Sequence, residues 1–533
     1  MRPTFRLALL LCCIVGVLFR LMLIIQSGWR IDYDEAMVGL LGLRVLRGEY
    51  MAFIPAQATL GALEPYLLAP LFAVFGASAV IFRVYSLATV AAYIATTGLL
   101  ARKAFGGRVG ILAALLSAFA PPYLLITGLK TWGATAETIV LGNLLLLLTV
   151  HAIDKRAAGW KILTVVGFIA GVMFWTAWLG FYYFVPVGLL LLWRGRAVLR
   201  VGWGSALIAF FAGSFPFSFH NFQNDFATFQ IIFNAQGSNS SLSDILNHLV
   251  NDLLPRLVTS SASWGILPNS ARIIVFALYY LGLLGVIVLT MYNIKNKYSF
   301  LIAKDTSENA RLLLSLFTIL LPIIYLLSGY GDSAFNPWGV DATGRYVLML
   351  HTVLPIGVGL LAVTIAKRQI VGAKLIGAGV VALVVGLNVP SALRLDLMEA
   401  FDSPYYTRQP ESLQPLIDYL DQHQITHVWV DAGIGQILMF VTNERIIAAD
   451  PYDAYIAGGL LRFPDALATV AAAPESAFVV PIMPNQQDMP LKRAFDDAGI
   501  VYTFDYITPT LMIYIPAERV DPMRIAAGLG YQY

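Results

Sequence analysis

The sequence predicts an α-helical polytopic membrane protein with about eleven transmembrane helices, followed by a smaller C-terminal α/β domain. Three observations carry that reading. Of the 533 residues 58% are hydrophobic and only 13% charged, whereas a soluble domain carries roughly a quarter charged residues. Apolar runs of spanning length recur from the N-terminus to Leu393. Beyond Leu393 the chain turns polar, which divides it into a membrane domain, 1–393, and a second domain, 394–533.

The first run, 7–27, is long enough to cross a bilayer, which takes about 20 apolar residues, and it ends at Gln26-Ser27-Gly28. Its place and length also suit a signal peptide, but the topology needs it as a span. Cys12 and Cys13, the two cysteines, sit side by side inside it and so form neither a disulfide framework nor a zinc site. Further runs cover 78–101, 109–127, 136–153, 161–178, 180–193, 199–216, 271–293, 311–328, 344–366 and 371–393. Lys and Arg in short loops mark the cytoplasmic side. One set of alternate loops holds eighteen of them, and the opposite set holds five: Arg30, Arg44, Arg47, Lys130 and Arg256. The N-terminus is therefore expected in the cytoplasm and the C-terminal domain outside, with the lipid bilayer as a partner and no nucleic acid.

The second domain alternates helical and strand patterns. An amphipathic stretch at 411–424 precedes apolar strands at His427–Val430, Arg445–Ala448, Ser476–Ile482, Ile500–Phe504 and Leu511–Ile515. It contains no glycine-rich phosphate loop and no metal-spaced His/Cys set, so an accessory or acceptor-handling role is expected of it.

The chemistry is expected in the outer segments. Loop 28–77 opens with Ile31-Asp32-Tyr33-Asp34-Glu35 and adds Glu49 and Glu64. Two amphipathic pieces in it, Ala36–Leu46 and Leu63–Phe75, read as helices lying in the interface and roofing a cavity. The next outer loop places Lys130 and Trp132 at the surface, with Glu137 following, and the loop 217–270 carries Asn221 and Arg256. Arg20, Arg83, Lys130, Glu137, Arg272 and Arg345 fall within spans or at their outer ends, where ionisable groups are costly and mark function unless they snorkel. Snorkelling suits Arg272, which opens a span; Arg20 lies deeper and calls for a partner or ligand.

These residues resemble a known family. Asp34-Glu35-Ala36 after the first span, Gly48-Glu49-Tyr50, Gln57, and Gly61-Ala62-Leu63-Glu64-Pro65-Tyr66 look like bacterial GT-C glycosyltransferases related to protein mannosyltransferases and to the aminoarabinose transferase of lipid A. The likeness continues in Leu129-Lys130 with Gly133 and Glu137, in Pro216 with Asn221, and in Gly344-Arg345-Tyr346. It covers roughly residues 1–390 and leaves out the C-terminal domain.

The resemblance implies an inverting transferase of the bacterial plasma membrane. Such an enzyme moves a sugar from a polyprenyl-phosphate carrier, on the outer face, to a protein, glycolipid or polysaccharide acceptor. It assigns the general base to Asp34, with Glu35 beside it as a catalytic candidate. A carboxylate under a roof of helices suits that role, because partial desolvation raises its pKa. Cations aimed at the leaving phosphate stabilise the developing charge, and Lys130, Arg345 and Arg256 are the candidates. Glu64, Gln57, Tyr66, Glu137, Asn221, Tyr346, Arg20 and Arg83 would line the cavity. Glu35 and Glu64 either hold a divalent cation together with Asp34 or orient Arg20 and Arg83 without metal; no obligatory cofactor is expected. Asp32 reads as a solvated or helix-capping acid.

The competing class is a transporter or flippase of lipid-linked sugars. It should show inverted repeats and broken spans, and the sequence has no paired pattern of that kind. Because every candidate acid and cation precedes Leu393, residues 1–394 alone are expected to cleave the donor slowly.

Overall fold

A computed structural model describes residues 3–131, 133–234, 240–259, 269–296, 306–328, 344–402, 409–454, 461–482 and 489–528. Trp132 lies outside them. All eleven apolar runs fall largely on helices. Among the described residues, eight helices are long and apolar enough to cross a membrane, and a ninth span forms if Arg196–Gly213 and Phe215–Gln223, bent by 65°, count as one. The other two runs fall short for visible reasons. Run 109–127 breaks into Gly107–Ala118 and Pro122–Thr127, because Pro121 and Pro122 have no N–H to continue the ladder. Run 180–193 gives Phe181–Arg194, 14 residues with Pro186 inside.

The chain divides into two compact units. The first comprises Met1–Gln26, Thr59–Ala62 and Val84–Asp396, which is most of the helical framework. Its helices approach closely through small residues, the usual device where no hydrophobic effect drives helices together. Trp160–Thr176 packs on Arg196–Gly213, and a Cβ on Gly167 or Gly171 would overlap the backbone of Ala206 or Phe210.

The second unit comprises Ser27–Ala58, Leu63–Arg83 and Leu397–Tyr533. Its sheet runs in the order Ile447–Ala449, His427–Val430, Ala477–Pro481, Leu511–Pro516, Tyr502–Thr508. The first three strands are parallel and the last two join antiparallel. All five strands read from the sequence are present; His427–Val430 coincides, and the others differ by up to four residues at an end. Trp429, Phe478, Phe495 and Tyr514 fill the core on one face.

The sequence reading counts loop 28–77 with the membrane domain. In the structure its helices, Tyr33–Leu46 and Leu63–Phe75, belong to the second unit. The helix Ala432–Val441, which the sequence reading did not mark, packs on Tyr33–Leu46. Gly39 leaves room for the Phe440 ring, and Phe72, Phe82 and Phe440 form a triad with ring centroids 5.3 to 5.9 Å apart. Arg44 pairs with Asp465 at 2.6 Å, Arg47 with Glu444 at 2.5 Å and Arg30 with Asp402 at 2.7 Å. Tyr33–Leu46 is therefore no interfacial amphipath: every residue from Glu35 to Gly42 is buried.

Candidate active site

The carboxylate cluster sits in the second unit. Asp32 is the N-cap of Tyr33–Leu46, accepting from Glu35 N–H at 3.0 Å, while Glu35 Oε2 accepts from Asp32 N–H at 3.1 Å. This is a reciprocal capping box. Asp32 is thus a capping acid, and it is buried rather than solvated. Glu35 also meets Arg83, whose guanidinium donates to Oε1 at 2.6 Å and Oε2 at 2.9 Å. Both side chains are wholly buried. Such a bidentate pair is strong and specific in geometry, and Arg83 is held further by the Arg30 carbonyl and by the Phe401 ring, 4.7 Å away.

Glu35 thus fixes the orientation of the Arg83 guanidinium. Asp34, one residue earlier, is half-buried in the first turn of the same helix. Glu64 is buried in the first turn of Leu63–Phe75, Gln57 is half-buried, and Tyr66 exchanges hydrogen bonds with the Met51 backbone at 3.1 and 3.2 Å. The described residues hold no group of three or more His, Cys, Asp or Glu spaced to take a metal ion.

The cation candidates belong to the first unit. Lys130 is buried in the turn after Pro122–Thr127. That turn passes through Gly133 with φ +63° and Ala134 with φ +56°. Arg345 opens a 3₁₀ helix, Arg345–Thr352, behind Gly344 at φ +75°. A Cβ on Gly344 would lie 3.5 Å from Tyr123 Oη and 3.6 Å from Arg256 Cδ. Helix Leu254–Val258, which bears Arg256, packs on both Pro122–Thr127 and Arg345–Thr352. Three segments far apart in sequence thus converge with a cation on, or just after, each. The Arg345 guanidinium lies 5.0 Å from the Tyr346 ring centre and donates to its hydroxyl at 3.1 Å.

Other sequence candidates have local tasks. Glu137 accepts from Tyr85 Oη at 2.7 Å. Asn221 ties a bend, donating to Phe217 O at 3.0 Å and accepting from Thr228 N–H at 3.1 Å. Arg20 donates to Ser117 O at 3.1 Å and Ala118 O at 2.8 Å. Those carbonyls are the acceptors that the N–H groups of residues 121 and 122 would have served in a continuing helix, and both positions are proline. Its partner is the broken helix end. Tyr85, Tyr123 and Asp402 escaped the sequence reading, since nothing local marks a tyrosine or aspartate whose partner is distant in the chain.

No protein-family model matches the chain, and no curated protein matches it in sequence. Solved structures match its fold. ArnT from Cupriavidus metallidurans bound to undecaprenyl phosphate matches with a TM-score of 0.56 at 11% identity, covering 97% of this chain and 99% of that one. The same protein in the apo state gives 0.58 at 11%, covering 98% and 99%. The apo oligosaccharyltransferase of Archaeoglobus fulgidus gives 0.51 at 11%, covering 93% and 71%. The likeness extends past residue 390 into the C-terminal residues, which the motif resemblance leaves out. At these identities it is a likeness of fold, and the chain has the GT-C fold of these transferases.

Proposed function

We propose that this protein is a membrane glycosyltransferase that takes a sugar from a polyprenyl-phosphate carrier and passes it, with inversion, to an acceptor hydroxyl on the outer face. The convergence of the Lys130, Arg256 and Arg345 segments around Gly344 carries the reading. A polyprenyl phosphate leaves as an anion, and preorganised cations lower the cost of forming it. Asp34 is assigned as general base. As the acceptor oxygen bonds to the anomeric carbon and the carbon–oxygen bond to phosphate breaks, the acceptor's proton passes to the Asp34 carboxylate. Glu35 takes the supporting role, because both its oxygens are engaged by Arg83. The fold likeness to a transferase solved with undecaprenyl phosphate supports this reading.

The test is direct. Purified protein in detergent receives a panel of polyprenyl-phosphate sugars, and released polyprenyl phosphate is measured with and without acceptor. Release that depends on Asp34 and Lys130 supports a transferase. Movement of intact donor across proteoliposomes with no cleavage would make the protein a transporter instead.

A further inference from the structure

We infer that His351 is a positioning residue that holds the Arg345 and Arg256 segments together as one anion-binding unit. The inference rests on the phosphate role proposed above for those two arginines. The 3₁₀ helix Arg345–Thr352 runs for eight residues, whereas such helices rarely exceed three or four, because their hydrogen bonds are poorly aligned. A run of this length needs support from outside itself. In a 3₁₀ helix residues three apart eclipse one another, so Arg345, Leu348 and His351 share one face.

His351 is 1% exposed, and its imidazole faces the backbone of Leu257. Leu257 follows Arg256 directly on the helix Leu254–Val258. At the other end of the same face, the residue before Arg345, Gly344, approaches the Arg256 side chain and Leu253. The two segments thus meet twice, once beside the arginines and once at the histidine two turns deeper. Each is also anchored behind. Tyr93 Oη donates to His351 O at 3.1 Å, Tyr183 Oη meets Thr352 Oγ1 at 2.7 Å, and Tyr280 Oη donates to Leu254 O at 2.8 Å. His351 Nε2 has no partner among the described residues, so the ring serves this contact through Nδ1.

His351 need not touch phosphate to matter. It fixes the angle and separation of two guanidiniums, and that geometry decides whether both reach one phosphate group.

The experiment compares wild type with His351→Leu, which removes the contact, and His351→Asn, whose amide can return a polar atom where Nδ1 sits. Amide hydrogen exchange of 254–258 and 344–352 is measured without ligand, and undecaprenyl phosphate binding is measured in the same detergent. Faster exchange in both segments is expected for His351→Leu. Its affinity should be weaker by about tenfold or more, the equivalent of about 1.4 kcal/mol, and His351→Asn should recover most of both. A double-mutant cycle of Arg256→Ala and Arg345→Ala should be non-additive in wild type and additive in the His351→Leu background.

Exchange and affinity unchanged in His351→Leu would overturn the inference, as would a cycle that is equally coupled in both backgrounds. If His351→Leu does not fold, the decision falls to His351→Asn and to Tyr93→Phe, which leaves the ring contact in place and should keep the cycle coupled. Wild type that fails to bind undecaprenyl phosphate at all, with exchange responding as described, would instead overturn the phosphate reading of the arginines and with it the purpose of the clamp.

Discussion

Arg83 and Arg20 are both fully buried arginines, one in each unit, and they are neutralised in different ways. Arg83 faces a carboxylate, Glu35, with charge against charge in a dry setting. Arg20 faces carbonyls at the C-terminal end of Gly107–Ala118, where unbonded acceptors and the helix dipole present partial negative charge. A buried pair is costly to form and costlier to break from one side, since the surviving charge stays buried. A capped helix end is more forgiving. Buried charge near a candidate site therefore needs its partner identified before it is given to a substrate.

The first and largest break of that comparison removes the C-terminal residues. The sequence led us to expect slow donor cleavage by residues 1–394. The structure changes that expectation, because Tyr33–Leu46, which bears Asp34, packs on Ala432–Val441, with Arg44 paired to Asp465 and the following Arg47 to Glu444. Such a truncation is expected to lose both donor cleavage and transfer. Cleavage by a folded truncation would restore the simpler division of labour.

The next effect separates two neighbouring acids. Asp34→Asn should lower turnover by ~10²-fold or more while melting as wild type does, as a general base requires. Glu35→Gln should instead lower the melting temperature, because Arg83 is left buried without its counter-charge. Activity of Asp34→Asn within a few-fold of wild type would move the base elsewhere.

Arg83→Met should cost about 3–5 kcal/mol of stability, and the double variant Arg83→Met/Glu35→Gln should recover much of it. Arg20→Met should cost less, about 1–3 kcal/mol. That cost should shrink further beside Pro121→Ala/Pro122→Ala, which returns N–H donors to the Ser117 and Ala118 carbonyls. Chemical denaturation in detergent reads all four, and equal losses for the two arginines would erase the distinction drawn here.

The smallest effect lies at Arg44 and Asp465. Partial burial pushes the Asp465 carboxyl up, but the hydrogen bond and charge of Arg44 outweigh it and hold the group below its ordinary value. A depressed carboxyl contributes stability above its unfolded pKa of roughly 4 and loses it as pH falls through the folded value. Arg44→Gln should accordingly destabilise by less than about 1 kcal/mol at neutral pH, as exposed pairs do, and the difference should vanish in acid. A pH-independent loss would assign the effect to packing of Arg44 on Phe463, whose ring centre lies 4.7 Å away.

Several features were legible without coordinates. The eleven apolar runs and the five strands are local patterns of hydrophobicity, and each falls largely on helix or strand. Asp34, Lys130 and Arg345 were marked by short motifs; Lys130 is buried, and Asp34 and Arg345 are half-buried. The sequence offers the pairing of Glu35 with Arg83 only as one of two alternatives, because it gives a charge but not its neighbour. The helices at Ala432–Val441, Pro464–Ala472 and Pro490–Asp497 went unmarked. They are 8 to 10 residues long, too short for periodicity to stand out from the strands around them.

By itself the sequence determined that this protein is a polytopic helical chain with an appended α/β segment, because hydrophobic run length and period are properties of consecutive residues. Only the tertiary structure decided that the helices of loop 28–77 fold with the C-terminal residues, that Arg20 completes a helix broken by two prolines, and that the Arg256 helix meets the Arg345 turn. Those are contacts between segments from 88 to more than 400 residues apart. They depend on which buried surfaces and unsatisfied groups can meet in three dimensions, and no local pattern in the chain records that.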